Sequence, residues 1–212
     1  MFNKDYFEKV FQKADPWEYG RSEYERAKHR RQMEAVKLIY PQPGQVLEIG
    51  CAEGVFTALL ANAFPQASML GIDLSRVAVA RAKDRCQCYP GIQLREADIL
   101  DLLDHRGLPA NHFDIVIQSE SLYYMFPRLF LHMNLVRYLR KVTQTLKTGG
   151  VFATSNGIDG VTRGVMEVYY QTLKRLCRLE YSAEYRDWNE LRHKYSTCDL
   201  KIFRKTEPGK SS

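Results

Sequence analysis

Apolar positions along the chain switch between a helical and a strand period, and the switches mark its elements. Residues 2–13 place Phe2, Tyr6, Phe7, Val10 and Phe11 on one side of a short helix. Asp15-Pro16-Trp17 breaks it, because the ring of Pro16 disfavours helix for the residue before it. Ser22, followed three residues later by Glu25, reads as a capping box opening a helix that runs to Ile39. Pro41-Gln-Pro43-Gly44 then closes the region with turn residues. From Gln45 onward, short apolar runs alternate with helical stretches. The pattern predicts strands at 46–49, 68–73, 92–96, 113–118 and 151–154. Between them it predicts helices at 55–64, from Ser75 to about 86, and from about 128 to 146, the last ended by Gly149-Gly150. The unbroken apolar run Phe113–Gln118 is what a central strand buried on both faces requires. Residues 161–176 read as a final helix, and 179–188 and 197–204 as last strands antiparallel to each other. This alternation predicts an α/β fold, a parallel sheet with helices on both faces.

Composition narrows the class without naming it. The 212 residues, 45% hydrophobic and 26% charged, suit one domain with a full α/β core. No apolar run approaches the length needed to span a bilayer, and the first residues carry no apolar signal segment, so a cytoplasmic protein is expected. The five cysteines are an odd number, and Cys86-Gln-Cys88 has no zinc-ligand spacing; reduced thiols and no metal are expected. The formal charge of +6 is modest and dispersed, which favours a solvated surface over a nucleic-acid groove. His132, on the helix predicted from about 128, reads as a solvated or core histidine.

Candidate chemistry concentrates in residues 46–57. A strand enters a small-residue turn and a helix leaves it, which points free N–H groups at whatever sits above. Gly50 and Gly54 permit unusual dihedrals or close approach, but Ala52 stands where a second glycine of Gly-x-Gly-x-x-Gly would be. The loop also lacks the Gly-Lys-Ser/Thr of a phosphate-binding P-loop. Glu48, just before Gly50, would repel a pyrophosphate and suits a ligand bearing an ammonium group. On this loop alone, a structural turn and a nucleotide site both stay open.

The stretches downstream decide between them. Glu48-Ile-Gly50-Cys-Ala-Glu-Gly54, Gly71-Ile-Asp73-Leu-Ser75, Glu96-Ala-Asp98-Ile99, Phe113–Glu120 and Thr148-Gly-Gly150-Val resemble, in order, the motifs of class I S-adenosylmethionine-dependent methyltransferases. Asp15-Pro-Trp17, Ser22–Lys28 and Ser119-Glu120-Ser-Leu-Tyr123-Tyr124 extend the likeness to the nodulation protein S-type N-methyltransferases, over most of residues 1–157. The resemblance implies a Rossmann-like seven-stranded, mostly parallel sheet with an antiparallel last strand. It divides the chain into an N-terminal helical lid (1–44), a methyltransferase domain (45–206) and a disordered tail (207–212).

It also implies S-adenosylmethionine as cofactor, with S-adenosylhomocysteine as product, and a set of residues to hold it. Asp73, 23 residues after Gly50, would accept the ribose hydroxyls beside Leu74. Asp98 and Ile99 would take the adenine, although by pattern Asp98 could equally cap the segment that follows. Gly50, Cys51, Ala52, Gly54, Val55 and Phe56 would admit the methionine end, Glu48 its amine, and Ser119 the region of the sulfonium, which favours carbonyls and aromatic faces. Trp17, Tyr24 and Lys28 would close the lid over it. Methyl transfer needs its reactants held in line. An amine acceptor must also lose a proton, for which Glu120 is the candidate base, expected to meet either the acceptor amine or a hydroxyl such as that of Tyr24. Tyr123 and Tyr124 would position the acceptor. The expected activity is methylation of a small molecule, an amine by the resemblance; O-methylation of a small molecule and RNA methylation are the alternatives.

Overall fold

A computed structural model of the protein describes residues 3–105, 107–125 and 135–207. Its sheet contains β1 (Gln45–Ile49), β2 (Ser68–Asp73), β3 (Ile92–Glu96), β4 (Phe113–Gln118), β5 (Leu146–Ile158), β6 (Arg178–Asn189) and β7 (Lys194–Arg204). These seven strands are hydrogen-bonded in the order β3-β2-β1-β4-β5-β7-β6. β7 is antiparallel to both of its neighbours, so it alone runs against the rest. The order reverses between β1 and β4, and open α/β sheets bind ligands beyond the strand ends at such a switch point. Every residue of β4 is buried, as a central strand requires, although the run is not wholly apolar: Asp114 accepts from Gly44 and Gln45 N, and Gln118 accepts from the Tyr138 hydroxyl. Along the edge strand β6, partly buried residues alternate with exposed ones.

Side-chain alternation sends successive residues to two separate cores. Val46, Ile115 and Ile117 face α2 (Glu23–Ile39) and α3 (Val55–Ala63), where they meet Val36, Phe56 and Leu60. Leu47 and Val116 face the opposite way. There α5 (Ile99–Asp104), a helix that we number α6 (Leu135–Thr145) and α7 (Gly160–Lys174) bring Leu102, Leu139, Val142, Met166 and Leu173. Each fully buried aliphatic side chain contributes about 1.5–3 kcal/mol relative to exposure, so the two faces together hold the sheet. α4 (Arg76–Cys86) packs along β2 and β3 beside α3. Among the described residues no helix is long and apolar enough to cross a membrane.

Several boundaries differ from the sequence reading, each for a local reason. The first helix, α1, covers only Lys4–Val10. α6 ends at Thr145 rather than at Gly149-Gly150. Thr143 and Thr145 donate their hydroxyls to the carbonyls of Arg140 and Val142, and Asn111 and His112 donate backbone N–H groups to Gln144 and Thr145. The freed helix-end carbonyls are thereby satisfied without a glycine cap. Gly149 instead lies within β5 at φ 81°, where the pairing with β4 shifts register. The capping box of α2 is half formed: Ser22 accepts from the Glu25 N–H at 3.3 Å, but the Glu25 carboxylate turns to Lys28. The Ser22 N–H, which the reciprocal contact would use, donates to the Glu18 carbonyl at 2.8 Å, and Glu190 accepts from the N–H of Glu23 at 2.6 Å and from the Ser22 hydroxyl. Phe2, residues 128–134 with His132, and the tail from 208 lie outside the described residues.

The N-terminal segment docks through polar contacts and a few aromatics. No residue of α1 is buried. Glu8 sits on the N-terminus of α4, accepting from Arg76 N at 2.7 Å and from the Ser75 hydroxyl at 3.1 Å, where the helix dipole favours an anion. Burial raises the Glu8 carboxyl, and these donors more than offset it, leaving it below its ordinary value. Lys4 pairs with Glu96, and Arg81 reaches the Phe11 carbonyl and Glu53. Phe11, 2% exposed, is the one core side chain the segment contributes before Tyr24.

Candidate active site

The loop after β1 is closed by β2. Gly50 and Cys51 both donate to the Ile72 carbonyl, at 2.8 and 3.0 Å. Asp73 then ties two turns together: one oxygen accepts from Ala52 N at 2.9 Å and the other from Ser75 N at 2.9 Å. Burial raises its pKa, and the Ser75 and Ala52 N–H groups oppose the rise. Each oxygen keeps further acceptor capacity. Gly50 adopts φ 83°, and a Cβ there would meet Ser121 Cβ at 3.2 Å, so glycine is required both by conformation and by space. Ala52 and Glu120 hold positive φ (47° and 53°) without being glycine, and both line the same cavity. Such strain gathers where surrounding structure enforces it, commonly at functional sites.

That first cavity, of ≈ 110 Å³, lies at the carboxyl ends of β1, β2 and β4. Its floor holds Gly50, Ala52, Asp73, Leu74, Asp98, Ile99 and Ser119. Phe7, Phe11, Trp17 and Tyr19 form its roof. Ser121 Oγ is buried there and makes no hydrogen bond with the described residues. Asp98 also caps α5, accepting from Leu100 N at 3.0 Å, while it lines the cavity. A small extension contains Glu48, Cys51, Val55, Phe56 and His29. Burial pushes Glu48 up to about 7, against the pull of the Thr57 hydroxyl bonded to it at 2.6 Å. Gly54 lines neither space; at φ 75° it begins α3 and lets Ala82 of α4 approach, since a Cβ would lie 3.0 Å from Ala82 Cβ.

A second cavity, of ≈ 870 Å³, opens beside the first between α2, the start of α7 and the β6–β7 turn. Trp17, Tyr19, Glu120 and Tyr124 line both. Lys28 stands at its base, 6% exposed, 2.5 Å from Glu25 and 2.6 Å from Glu120. Burial lowers an ammonium pKa, but Glu120 and Glu25 overcome it and hold Lys28 raised, hence charged. Glu120 Oε1 also accepts from Gly157 N at 2.9 Å, and Oε2 from the Tyr123 hydroxyl at 2.5 Å. The Glu120 N–H donates to the Ser155 carbonyl and to Asn156 Oδ1, which fixes its strained backbone. Glu25 stays raised: burial and Glu120 push it up while Lys28 pulls it down. Arg192, from the turn after β6, and Lys194, the first residue of β7, stand at the mouth.

Two expectations are corrected here. Tyr24 and Lys28 line the second cavity and not the one holding Asp73, because α2 runs beneath the β6–β7 side of the sheet. The cation that meets Glu120 is the chain's own Lys28, and the hydroxyl is Tyr123 rather than Tyr24, so three donors already occupy its carboxylate. Phe7, Phe11, Tyr19 and Glu25 were missed as site residues. The i, i+4 spacing of Phe7 and Phe11 marks a shared helix face; nothing local marks Tyr19 or Glu25.

Comparison with known proteins follows this geometry. A methyltransferase-domain family matches residues 43–201. Trans-aconitate 2-methyltransferase of Acidovorax ebreus (strain TPSY) is 31% identical over 139 residues, 66% of this chain and 48% of that protein. The chain thus spans about half the length of the trans-aconitate relatives it matches. Nodulation protein S of Azorhizobium caulinodans is 31% identical over 160 residues, 76% of this chain and 71% of that one. The crystal structure of the N-methyltransferase NodS from Bradyrhizobium japonicum WM9, in complex with S-adenosyl-L-homocysteine, superposes with a TM-score of 0.78 at 23% identity, covering 96% of this chain and 98% of that chain. Sheet order, loop and family match agree: the chain belongs to the methyltransferase-domain family and has the fold of the class I S-adenosylmethionine-dependent methyltransferases.

Proposed function

We propose that this protein transfers a methyl group from S-adenosylmethionine to the nitrogen of a small-molecule amine. The first cavity suits the cofactor. Asp73 has acceptor capacity left on both oxygens for a ribose, the Gly50 turn leaves no room for a side chain, and the buried Ser121 hydroxyl is free to bond a ligand. Glu48 would face the amine of the methionine end, whose charge would hold the carboxylate ionised. When bound, the cofactor supplies an electrophilic methyl group on a cationic sulfur. The residues around it contribute orientation and exclusion of water: Phe7, Phe11 and Trp17 cover the floor, while Trp17, Tyr19 and Tyr124 wall both cavities.

The observation that carries the amine reading is a charge count. Beside the wall common to both cavities, two carboxylates, the buried Glu25 and the partly buried Glu120, share one lysine. Buried charge calls for a partner, and an acceptor ammonium supplies the missing positive charge. A second reading, O-methylation of an acidic small molecule, is favoured by Arg192 and Lys194 at the mouth. Mass spectrometry of products formed from amines, amino sugars, phenols, carboxylic acids and RNA separates them. N-methylated amine products are expected; methyl esters or ethers alone would replace the amine reading with the second.

A further inference from the structure

Glu120 and Glu25 hold Lys28 between them, yet they differ in what else they can do. Glu120 accepts three hydrogen bonds, from Lys28, Gly157 N and Tyr123, and its backbone is pinned at φ 53°. An ionised carboxylate offers about four acceptor sites, so little remains for a substrate. Glu25 pairs with Lys28 through Oε2, which is buried and has no donor in hydrogen-bond geometry, and Oε1 accepts from no described residue. Glu25 lies on the first turn of α2 and lines the second cavity beside Tyr24. The ion pair holds the side chain at Oε2 and leaves Oε1 as the oxygen for a ligand in the cavity.

We infer that Glu25, and not Glu120, is the counter-ion of the acceptor ammonium and takes the proton that the acceptor must lose. The assignment rests on the amine reading above. The N–H bond of the ammonium breaks with its electron pair kept on nitrogen, and the proton forms an O–H bond on the Glu25 carboxylate. The neutral amine then holds the lone pair that methyl transfer requires. Glu25 returns its proton to solvent through the open mouth of the second cavity. Burial and the nearby Glu120 charge raise the Glu25 pKa, while Lys28 and Arg192 oppose the rise, and the net upward shift is in the direction a proton acceptor needs. Glu120 is a positioning residue in this scheme, anchoring Lys28 and Tyr123.

The test compares a strongly basic alkylamine, protonated at neutral pH, with an arylamine that is neutral there. Glu25→Gln should lower kcat/KM for the alkylamine by roughly 10²-fold, leave the arylamine near the wild-type rate, and recover alkylamine activity as pH rises. S-adenosylhomocysteine affinity, read by calorimetry, should stay at the wild-type value and certifies the fold. Equal losses on both amines, or no loss on either, would overturn the assignment. Should Glu25→Gln fail to fold, Glu25→Asp keeps a carboxylate beside Lys28. It should slow the alkylamine alone, and an equal loss on both amines would again overturn it. If the wild-type protein methylates neither amine, the amine reading falls first and this inference with it. If it methylates both and Glu25→Gln matches it, only the proton role falls.

Discussion

The two cavities are built from different kinds of material. The first, of ≈ 110 Å³, is floored by backbone turns at adjacent strand ends, each written in a few consecutive residues. The second, of ≈ 870 Å³, is walled by side chains from α2, α7 and the β6–β7 turn, far apart in the chain. A turn-built floor fixes one ligand shape closely, since backbone N–H and carboxylate positions leave little freedom. A wall of side chains can be altered residue by residue without touching the sheet. On the proposed assignment, the difference teaches that the fold is committed to its cofactor and only the periphery to its acceptor.

The contrast can be broken most severely from the N-terminus. Removing residues 1–20 takes Phe7, Phe11, Trp17 and Tyr19 from the roof of the first cavity and Glu8 from α4. Apolar cover of that size corresponds to more than about 3 kcal/mol of cofactor affinity, with the sheet domain still folded by circular dichroism. Normal turnover in that truncation would reduce the segment to an appendage. Asp73→Ala comes next. Loss of two charge-assisted hydrogen bonds should cost about 2–3 kcal/mol of S-adenosylhomocysteine binding in calorimetry, with the acceptor KM little changed. An unaltered affinity would remove Asp73 from the cofactor site.

A smaller effect should fall on the other cavity alone. Glu190→Ala frees the β6–β7 turn from the start of α2, so the acceptor KM should rise several-fold (roughly 1 kcal/mol, a helix-cap magnitude) while cofactor affinity holds. A parallel change in both constants would argue against separate walls.

At neutral pH the smallest effect concerns stability, at His29 in the extension of the first cavity. His29 stacks on Phe56 at 4.9 Å, and burial, helped by the Lys28 charge, pushes its pKa down to about 3 from 6.5. Below pH 6.5 the unfolded chain therefore binds a proton that the folded one refuses, and stability is lost as pH falls from there toward 3. Thermal melts should show that decline flattened in His29→Phe. An identical slope would mean that His29 is protonated in the fold.

The sequence displayed the first region far better than the second. Gly50, Asp73 and Asp98 end or follow strands whose apolar runs could be counted, so their convergence followed from a parallel sheet. β4, with Phe113 and Ile115–Ile117 apolar, announced its central place. Thr143 and Thr145 hid the true end of α6, since side-chain bonds to helix carbonyls carry no spacing as plain as Gly-Gly. Glu25 was concealed by its own motif. Ser22 and Glu25 read locally as a capping pair, and only the approach of Lys28 and the distant Glu190 diverts each to another partner. Tyr19 sits in an irregular stretch with no period, and its place between the cavities is a product of tertiary packing.

Trp17, Tyr19, Glu120 and Tyr124 belong to both cavities at once. A partition shared by two ligands makes their affinities interdependent. Whatever factor cofactor binding contributes to acceptor affinity by ordering these four side chains, acceptor binding returns to cofactor affinity unchanged. Two of the four, Trp17 and Tyr19, belong to the roof of the first cavity. On the proposed assignment of the cavities, an acceptor arriving first would meet an unfinished pocket, so ordered kinetics are expected, with cofactor entering first and the demethylated cofactor leaving last.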